Sequence, residues 1–175
     1  MIGAILAGGA GTRLGGVSKA QLDLDGRPLA VHVADTLAEV CDSVAIVCKP
    51  DTDVPEIAGV ERWDEPAAPR HPLTGIIHAL ERAGEPVLVC ATDMPWVTAD
   101  ACRSLLDAAP GGAAAIAVAA AEPCPVFGVY APESLDVLRR AEPDAPLRET
   151  VDALDPVRVA LPPAILRSVN EPGDL

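Results

Sequence analysis

The chain has 175 residues, half of them apolar but only 2% aromatic, with a formal net charge of −13. That length suits a single domain over 1–175 whose core is built from Ala, Val, Leu and Ile. The acidity excludes nucleic acid and an anionic membrane surface as partners, because either needs a basic face.

Five cysteines, Cys41, Cys48, Cys90, Cys102 and Cys124, show neither a Cys-x-x-Cys pair nor a zinc spacing. They read as small buried hydrophobes rather than as a disulfide framework. The longest run of small apolar residues, 113–121, is far short of the ~20 residues a membrane helix needs. No basic region precedes the apolar N-terminal residues, so no signal peptide is expected. The expectation is a soluble, cytoplasmic protein that binds neither nucleic acid nor membrane.

Strand and helix signals alternate along the chain, which predicts βαβ units and a mainly parallel sheet. The first strand is Ile2–Leu6. Pro28 is placed to open a helix, and Leu29, Val33, Leu37 and Val40 recur at helical spacing. Ser43–Cys48 is a continuous apolar strand of the kind found where both sheet faces are covered. Residues 51–70 are rich in proline and acids and read as irregular, with a short strand near Val60. A helix over 75–83 and a buried strand over 86–91 follow. Thr98 is a candidate N-cap, with Asp100 in the favourable first turn, for a helix ending near Ala108. Residues 116–119 and 126–130 read as short strands. Pro132 and Pro146 each open a helix, ending near Arg140 and Leu154, and 157–161 is the last strand. The Ala/Gly-rich patch at 111–121 leaves strand register poorly specified.

The chemistry concentrates between Leu6 and Lys19, in Leu6-Ala7-Gly8-Gly9-Ala10-Gly11-Thr12-Arg13-Leu14-Gly15-Gly16-Val17-Ser18-Lys19. Glycines let backbone N–H groups approach a ligand closely, and Arg13 and Lys19 add positive charge. A strand feeding such a loop is a phosphate cradle. A P-loop is excluded because Lys19 follows Ser18 and precedes Ala20. The dinucleotide fingerprint is excluded because Leu14 stands where its third glycine belongs. A glycine-rich surface turn with incidental basic residues is the alternative.

A second signal is Val87-Leu88-Val89-Cys90-Ala91-Thr92-Asp93-Met94-Pro95. An aspartate just beyond a buried strand lies where α/β sheets place ligands, and its carboxylate suits Mg²⁺ carried by a nucleotide. An Asx-turn before Pro95 is the alternative. His32 and His78 have no partner at ligand spacing and read as structural.

The loop resembles the nucleotidyltransferase signature Leu-Ala-Gly-Gly-x-Gly-x-Arg-hydrophobic-Gly followed by lysine, most of all that of the molybdenum cofactor guanylyltransferases (MobA-like). Four further segments fit the same family in order. Asp93 matches its metal-binding Asp-x-Pro. Asp64 followed by His71-Pro72-Leu73-Thr74-Gly75 resembles an aspartate ahead of Gly-Pro-Leu-Ala-Gly. Pro125-Val126-Phe127-Gly128-Val129-Tyr130 resembles an acceptor-side strand, but it holds the only Phe and Tyr, so a plain core role is the stronger alternative. Ser168-Val169-Asn170-Glu171-Pro172 resembles Asn-x-Asn-Thr-Pro, with a terminal turn as the alternative. The departures are Ser18 for an acid, His71 for glycine, Thr74 for alanine, Ser168 for asparagine, and a short acceptor half around 110–125.

The resemblance implies a Rossmann-like three-layer α/β/α sandwich of the nucleotide-diphospho-sugar transferase type, with a mainly parallel central sheet. It implies transfer of GMP from GTP to the phosphate of molybdopterin, with Mg²⁺ as cofactor and pyrophosphate as product. By the same resemblance, Leu6, Ala7, Gly8, Gly9 and Gly11 hold the nucleotide, and Asp64 reads base or ribose. Arg13 takes the β- and γ-phosphates, Lys19 the α-phosphate and acceptor, and Asp93 the metal, with Asn170 as a second ligand candidate. Leu-Ala-Gly-Gly resembles the GTP-using branch, whereas related cytidylyltransferases tend to have Leu-Ala-Ala-Gly. Alternatives are a cytidylyl- or phospholactate guanylyltransferase, or a non-catalytic GTP-binding module. The resemblance also leaves room for transient contact with molybdoenzymes or cofactor-handling proteins.

Overall fold

The computed structural model describes residues 1–8, 18–109, 111–142, 145–170 and 172–174. The first strand, β1 (Ile2–Leu6), lies between two parallel neighbours, β4 (Ser43–Cys48) and β6 (Val87–Ala91). All three are almost uninterrupted apolar runs because helices cover both sheet faces. Their residues divide by the period of two. Ile5, Val44, Ile46, Leu88 and Cys90 enter one core, and Ala4, Ala45, Val47, Val87 and Val89 the other.

The first core is closed by α1 (Leu29–Ala38), through Val33 and Leu37, and by α3 (Ala99–Ala108), through Cys102 and Leu105. The second is closed by α2 (Pro72–Ala83), through Leu73, Ile76 and Leu80, with Leu138 of α4 (Leu135–Leu138) and Val151 of α5 (Leu147–Asp152). The result is the expected three-layer α/β/α sandwich.

With β5 (Val60–Asp64), β7 (Ala114–Ala119), β8 (Glu122–Tyr130) and β9 (Val157–Ala160), the sheet runs β5-β4-β1-β6-β8-β7-β9. β8 pairs antiparallel with both β6 and β7, and the other pairings within this sheet are parallel. Chain order runs outward from β1 through β4 to β5, then returns to β6 on the other side of β1. That reversal opens a crevice at the carboxyl ends of β1 and β6, where open α/β sheets bind ligands.

Several boundaries differ from the sequence expectation. β7 and β8 are longer than the residues 116–119 and 126–130 expected, and their register shifts between Ile116 and Ala117. The helix expected from Pro132 is a 3₁₀ turn, Pro132–Ser134, running into the single turn of α4. Helix α2 begins at Pro72, three residues before the expected 75, because His71 caps it. The hairpin of β2 (Asp23–Leu24) and β3 (Arg27–Pro28) is not among the expected elements. Its turn residues Asp25 and Gly26 have φ of 53° and 82°, the left-handed pair that a tight hairpin requires and that Asp-Gly supplies. Pro28 ends that hairpin and stands at the N-cap of α1 instead of inside its first turn.

Candidate active site

Three strands, β1, β5 and β6, deliver residues to the crevice from their carboxyl ends. The β1 ladder continues past its strand, with the Ala7 N–H donating to the Val47 carbonyl at 2.8 Å. Beyond β6, the Thr92 N–H donates to the Leu6 carbonyl at 3.0 Å, which fixes the start of the Thr92-Asp93-Met94 segment against β1. Leu6, Ala7, Gly8, Lys19 and Asp93 line one cavity, as the sequence reading expects of them. Gly9, Gly11 and Arg13 lie outside the described residues.

Lys19 reaches the crevice from a 3₁₀ turn, Lys19–Gln21, whose first amide is capped by Ser18: the hydroxyl accepts from the Ala20 N–H at 3.3 Å. The residue that departs from the family acid therefore still caps the turn carrying the lysine. Lys19 Nζ donates to Asp93 Oδ2 at 2.7 Å and to Asn170 Oδ1 at 3.0 Å. Asn170 is brought there by the Val169 N–H, which donates to the Asp93 carbonyl at 2.8 Å. Residues far apart in sequence thus converge on one cation. A carboxylate and an amide oxygen sharing one positive centre are also the hard donors a divalent ion takes, and with one protein carboxylate such an ion relies on substrate oxygens for the rest of its shell. The donor set fits a nucleotide-borne metal. Among the described residues no group of three or more His, Cys, Asp or Glu side chains could hold one unaided.

Asp64, the expected base- or ribose-binding residue, is not brought to the cavity. Its side chain is exposed and its Oδ1 accepts from Arg62 Nε at 2.7 Å. The reason is strand alternation: Trp63 of β5 points into the core under α2, so Asp64 points away and Glu65 points in. Glu65 is 3% exposed and lines the cavity. Its Oε1 lies 3.4 Å from Nζ of Lys49, which has no exposed surface and donates to the carbonyls of Pro66 (2.7 Å) and Pro69 (2.6 Å). Its Oε2 is buried without a hydrogen-bond partner among the described residues, as is Thr92 Oγ1 in the same cavity. Burial pushes the Glu65 carboxyl above its ordinary range, while Lys49 and then Arg70 pull it back.

Gly8 explains how this carboxylate fits. A Cβ on Gly8 would stand 2.5 Å from Glu65 Oε1, so the backbone here and the carboxylate can approach only because position 8 has no side chain. His71, which replaces a family glycine, caps α2: its Nδ1 accepts from the Leu73 N–H at 3.3 Å. Arg70, on the same wall, is paired with Asp51.

Val126 and Ser168, from the two remaining segments singled out in the sequence, also line the cavity. Phe127 and Tyr130 are fully buried, and the Tyr130 hydroxyl donates to the Pro125 carbonyl at 2.5 Å. A ring nitrogen of His32 bonds the Leu24 carbonyl at 2.9 Å, tying α1 to the hairpin. All five cysteines are free, and desolvation holds their thiols above the ordinary range, so none is poised as a nucleophile. Among the described residues no helix is long and apolar enough to cross a membrane.

Glu65, Lys49 and Thr92 are the site residues that motif matching misses. The available signal is local: an inward Trp63 in a strand implies an inward Glu65 two positions on.

Comparison with known proteins agrees with this fold. Residues 3–157 match the MobA-like NTP transferase domain. A molybdenum cofactor guanylyltransferase of Cereibacter sphaeroides is 37% identical over 137 residues, which cover 74% of this chain and 68% of that protein. One from Burkholderia ambifaria is 33% identical over 153 residues, covering 79% and 74%. The crystal structure of molybdopterin-guanine dinucleotide biosynthesis protein A from Archaeoglobus fulgidus superimposes with a TM-score of 0.73 at 24% identity, covering 99% of this chain and 94% of that one.

Proposed function

Because the chain belongs to the MobA-like NTP transferase family, and so is a nucleotidyltransferase, we propose that it moves GMP from GTP to the terminal phosphate of molybdopterin. An oxygen of the acceptor phosphate attacks the α-phosphorus in line. The new P–O bond forms as the bond to the β-phosphate bridge breaks, and pyrophosphate leaves with that electron pair. Such a transfer asks the protein for positioning and charge stabilisation rather than for a covalent nucleophile.

The observation that carries this reading is the convergence of Asp93 and Asn170 on Lys19 Nζ, at the cavity that Gly8 also lines. Lys19 neutralises the α-phosphate and the incoming acceptor, and Arg13 holds the β- and γ-phosphates. Asp93 and Asn170 would hold the divalent ion, magnesium, which when bound polarises phosphate oxygens as a Lewis acid. The base lies against Leu6, Ala7, Gly8 and Gly9, with Gly11 in the phosphate cradle. Glu65, not Asp64, lines that cavity, with an oxygen that has no partner among the described residues. Guanine suits that oxygen, because its Watson–Crick edge presents adjacent N1–H and N2–H donors and a carboxylate only accepts. The proposal includes a single domain over 1–175, a cytoplasmic location, and transient contact with molybdoenzymes or cofactor-handling proteins.

The test supplies the protein with Mg²⁺, molybdopterin and GTP, CTP or ATP in separate reactions, and reads pyrophosphate. Release with GTP alone, lost in Asp93→Ala and Lys19→Ala, is expected. Release with CTP alone contradicts the guanine assignment, and GTP binding without release contradicts catalysis.

A further inference from the structure

The sequence contains two lysines, and the transfer reaction uses only Lys19. Lys49, at the carboxyl end of β4, has no exposed surface. Burying an ammonium costs several kcal/mol unless partners are well placed. Here the partners are the Pro66 and Pro69 carbonyls and Glu65 Oε1. A buried ion pair adds little net stability over an apolar replacement, so its presence beneath a ligand cavity calls for a functional reason. The reason lies on the other side of Glu65. With Oε1 directed at Lys49, Oε2 is left in the cavity wall beside Gly75, where a Cβ would stand 3.5 Å from it. A carboxyl so desolvated would bind a proton without a cation against it, and a protonated carboxyl loses half of its accepting capacity.

We propose that Lys49 is a positioning residue for base selection: its ammonium holds Oε1 of Glu65 and so turns Oε2 toward the donor edge of guanine. This rests on the guanine reading given above. Gly8 belongs to the same device, since any side chain there would drive Glu65 off Lys49. A fixed carboxylate rewards the guanine 2-amino group, which hypoxanthine lacks. One charge-assisted hydrogen bond is worth roughly 10- to 100-fold in discrimination.

The experiment compares GTP with ITP in wild type, Lys49→Met, Lys49→Gln, Glu65→Gln and Lys49→Gln/Glu65→Gln, reading kcat and KM from pyrophosphate release and Kd by calorimetry. Lys49→Gln can still donate to the proline carbonyls, so it separates the charge from the pinning of the 66–69 segment and carries the test if Lys49→Met does not fold. The expected result is a wild-type GTP preference of roughly 10-fold or more that falls toward unity in Lys49→Gln. KM should change while kcat is nearly retained, with no further loss in the double variant. A purely structural lysine would weaken GTP and ITP alike. A wild-type GTP/ITP ratio in folded Lys49→Gln, or independent effects of the two substitutions, overturns the proposal. If the wild-type protein turns over neither nucleotide, catalysis has failed as a reading, and the ratio of dissociation constants still decides the role of Lys49.

Discussion

At the scale of single residues, two lysine–carboxylate pairs stand at one sheet edge with different exposure. The Lys19–Asp93 pair is part-exposed, with side chains 24% and 20% accessible, and so is open to exchange partners with a phosphate and its metal. The Lys49–Glu65 pair is closed to solvent and fixed. The buried pair gives a pH signature. Glu65 is raised above its ordinary value by burial, with Lys49 opposing, so the folded protein holds its proton to a higher pH than the unfolded chain does. In the guanine reading proposed above, acceptance by Glu65 requires the ionised form and is lost as pH falls through that raised pKa. The groups acting on the carboxylate are Lys49 and Cys48 at the carboxyl end of β4 and Arg70 ahead of α2, while His71, Lys19 and Asp93 line the same cavity. We expect the GTP/ITP ratio, followed from about pH 8 to about pH 5, to decline on acidification. The decline should move to higher pH in Lys49→Gln, because the influence that lowers the Glu65 pKa is gone. A ratio independent of pH would contradict this assignment.

The same two pairs show what sequence can reveal about a site. Asp93 is legible because an acid after an apolar strand and before proline has few places to go in an α/β sheet. Glu65 is not, since motif alignment selects its neighbour Asp64 and only the pleat, anchored by buried Trp63, distinguishes them. Lys49 follows an apolar strand and precedes a proline, and nothing in its spacing announces burial.

At the scale of elements, the helices and strands whose local signals agree are the ones found where expected. Helix α3 begins after Thr98, whose side chain accepts from the Ala101 N–H at 3.3 Å, and carries Asp100 in its first turn. Thr98→Ala should cost about 1 kcal/mol, read as a melting temperature lower by roughly 2–4 °C, with GTP binding unchanged because α3 lines no part of the cavity. The β2–β3 hairpin is legible in Asp25-Gly26 but hidden by its two-residue strands. The register shift between β7 and β8 is not legible. Near-identical alanines at 113–115 offer no side-chain pattern from which pairing could be deduced.

At the scale of the whole molecule, a chain with a net charge of −13 has to bind a polyanionic nucleotide. Lys19, part-exposed at the carboxyl edge of the sheet, meets part of that electrostatic demand, whereas the charge of Lys49 is taken up by buried Glu65. In the transfer proposed above a divalent ion meets the rest, so chelating it should abolish transfer and sharply weaken GTP binding in a salt-dependent manner. The most direct test is mass spectrometry of the product formed from molybdopterin, GTP and Mg²⁺. A molybdopterin guanine dinucleotide is expected in stoichiometric yield with pyrophosphate, absent with chelator and in Asp93→Ala. A cytosine dinucleotide, or unmodified molybdopterin beside bound and intact GTP, would contradict the proposed transfer.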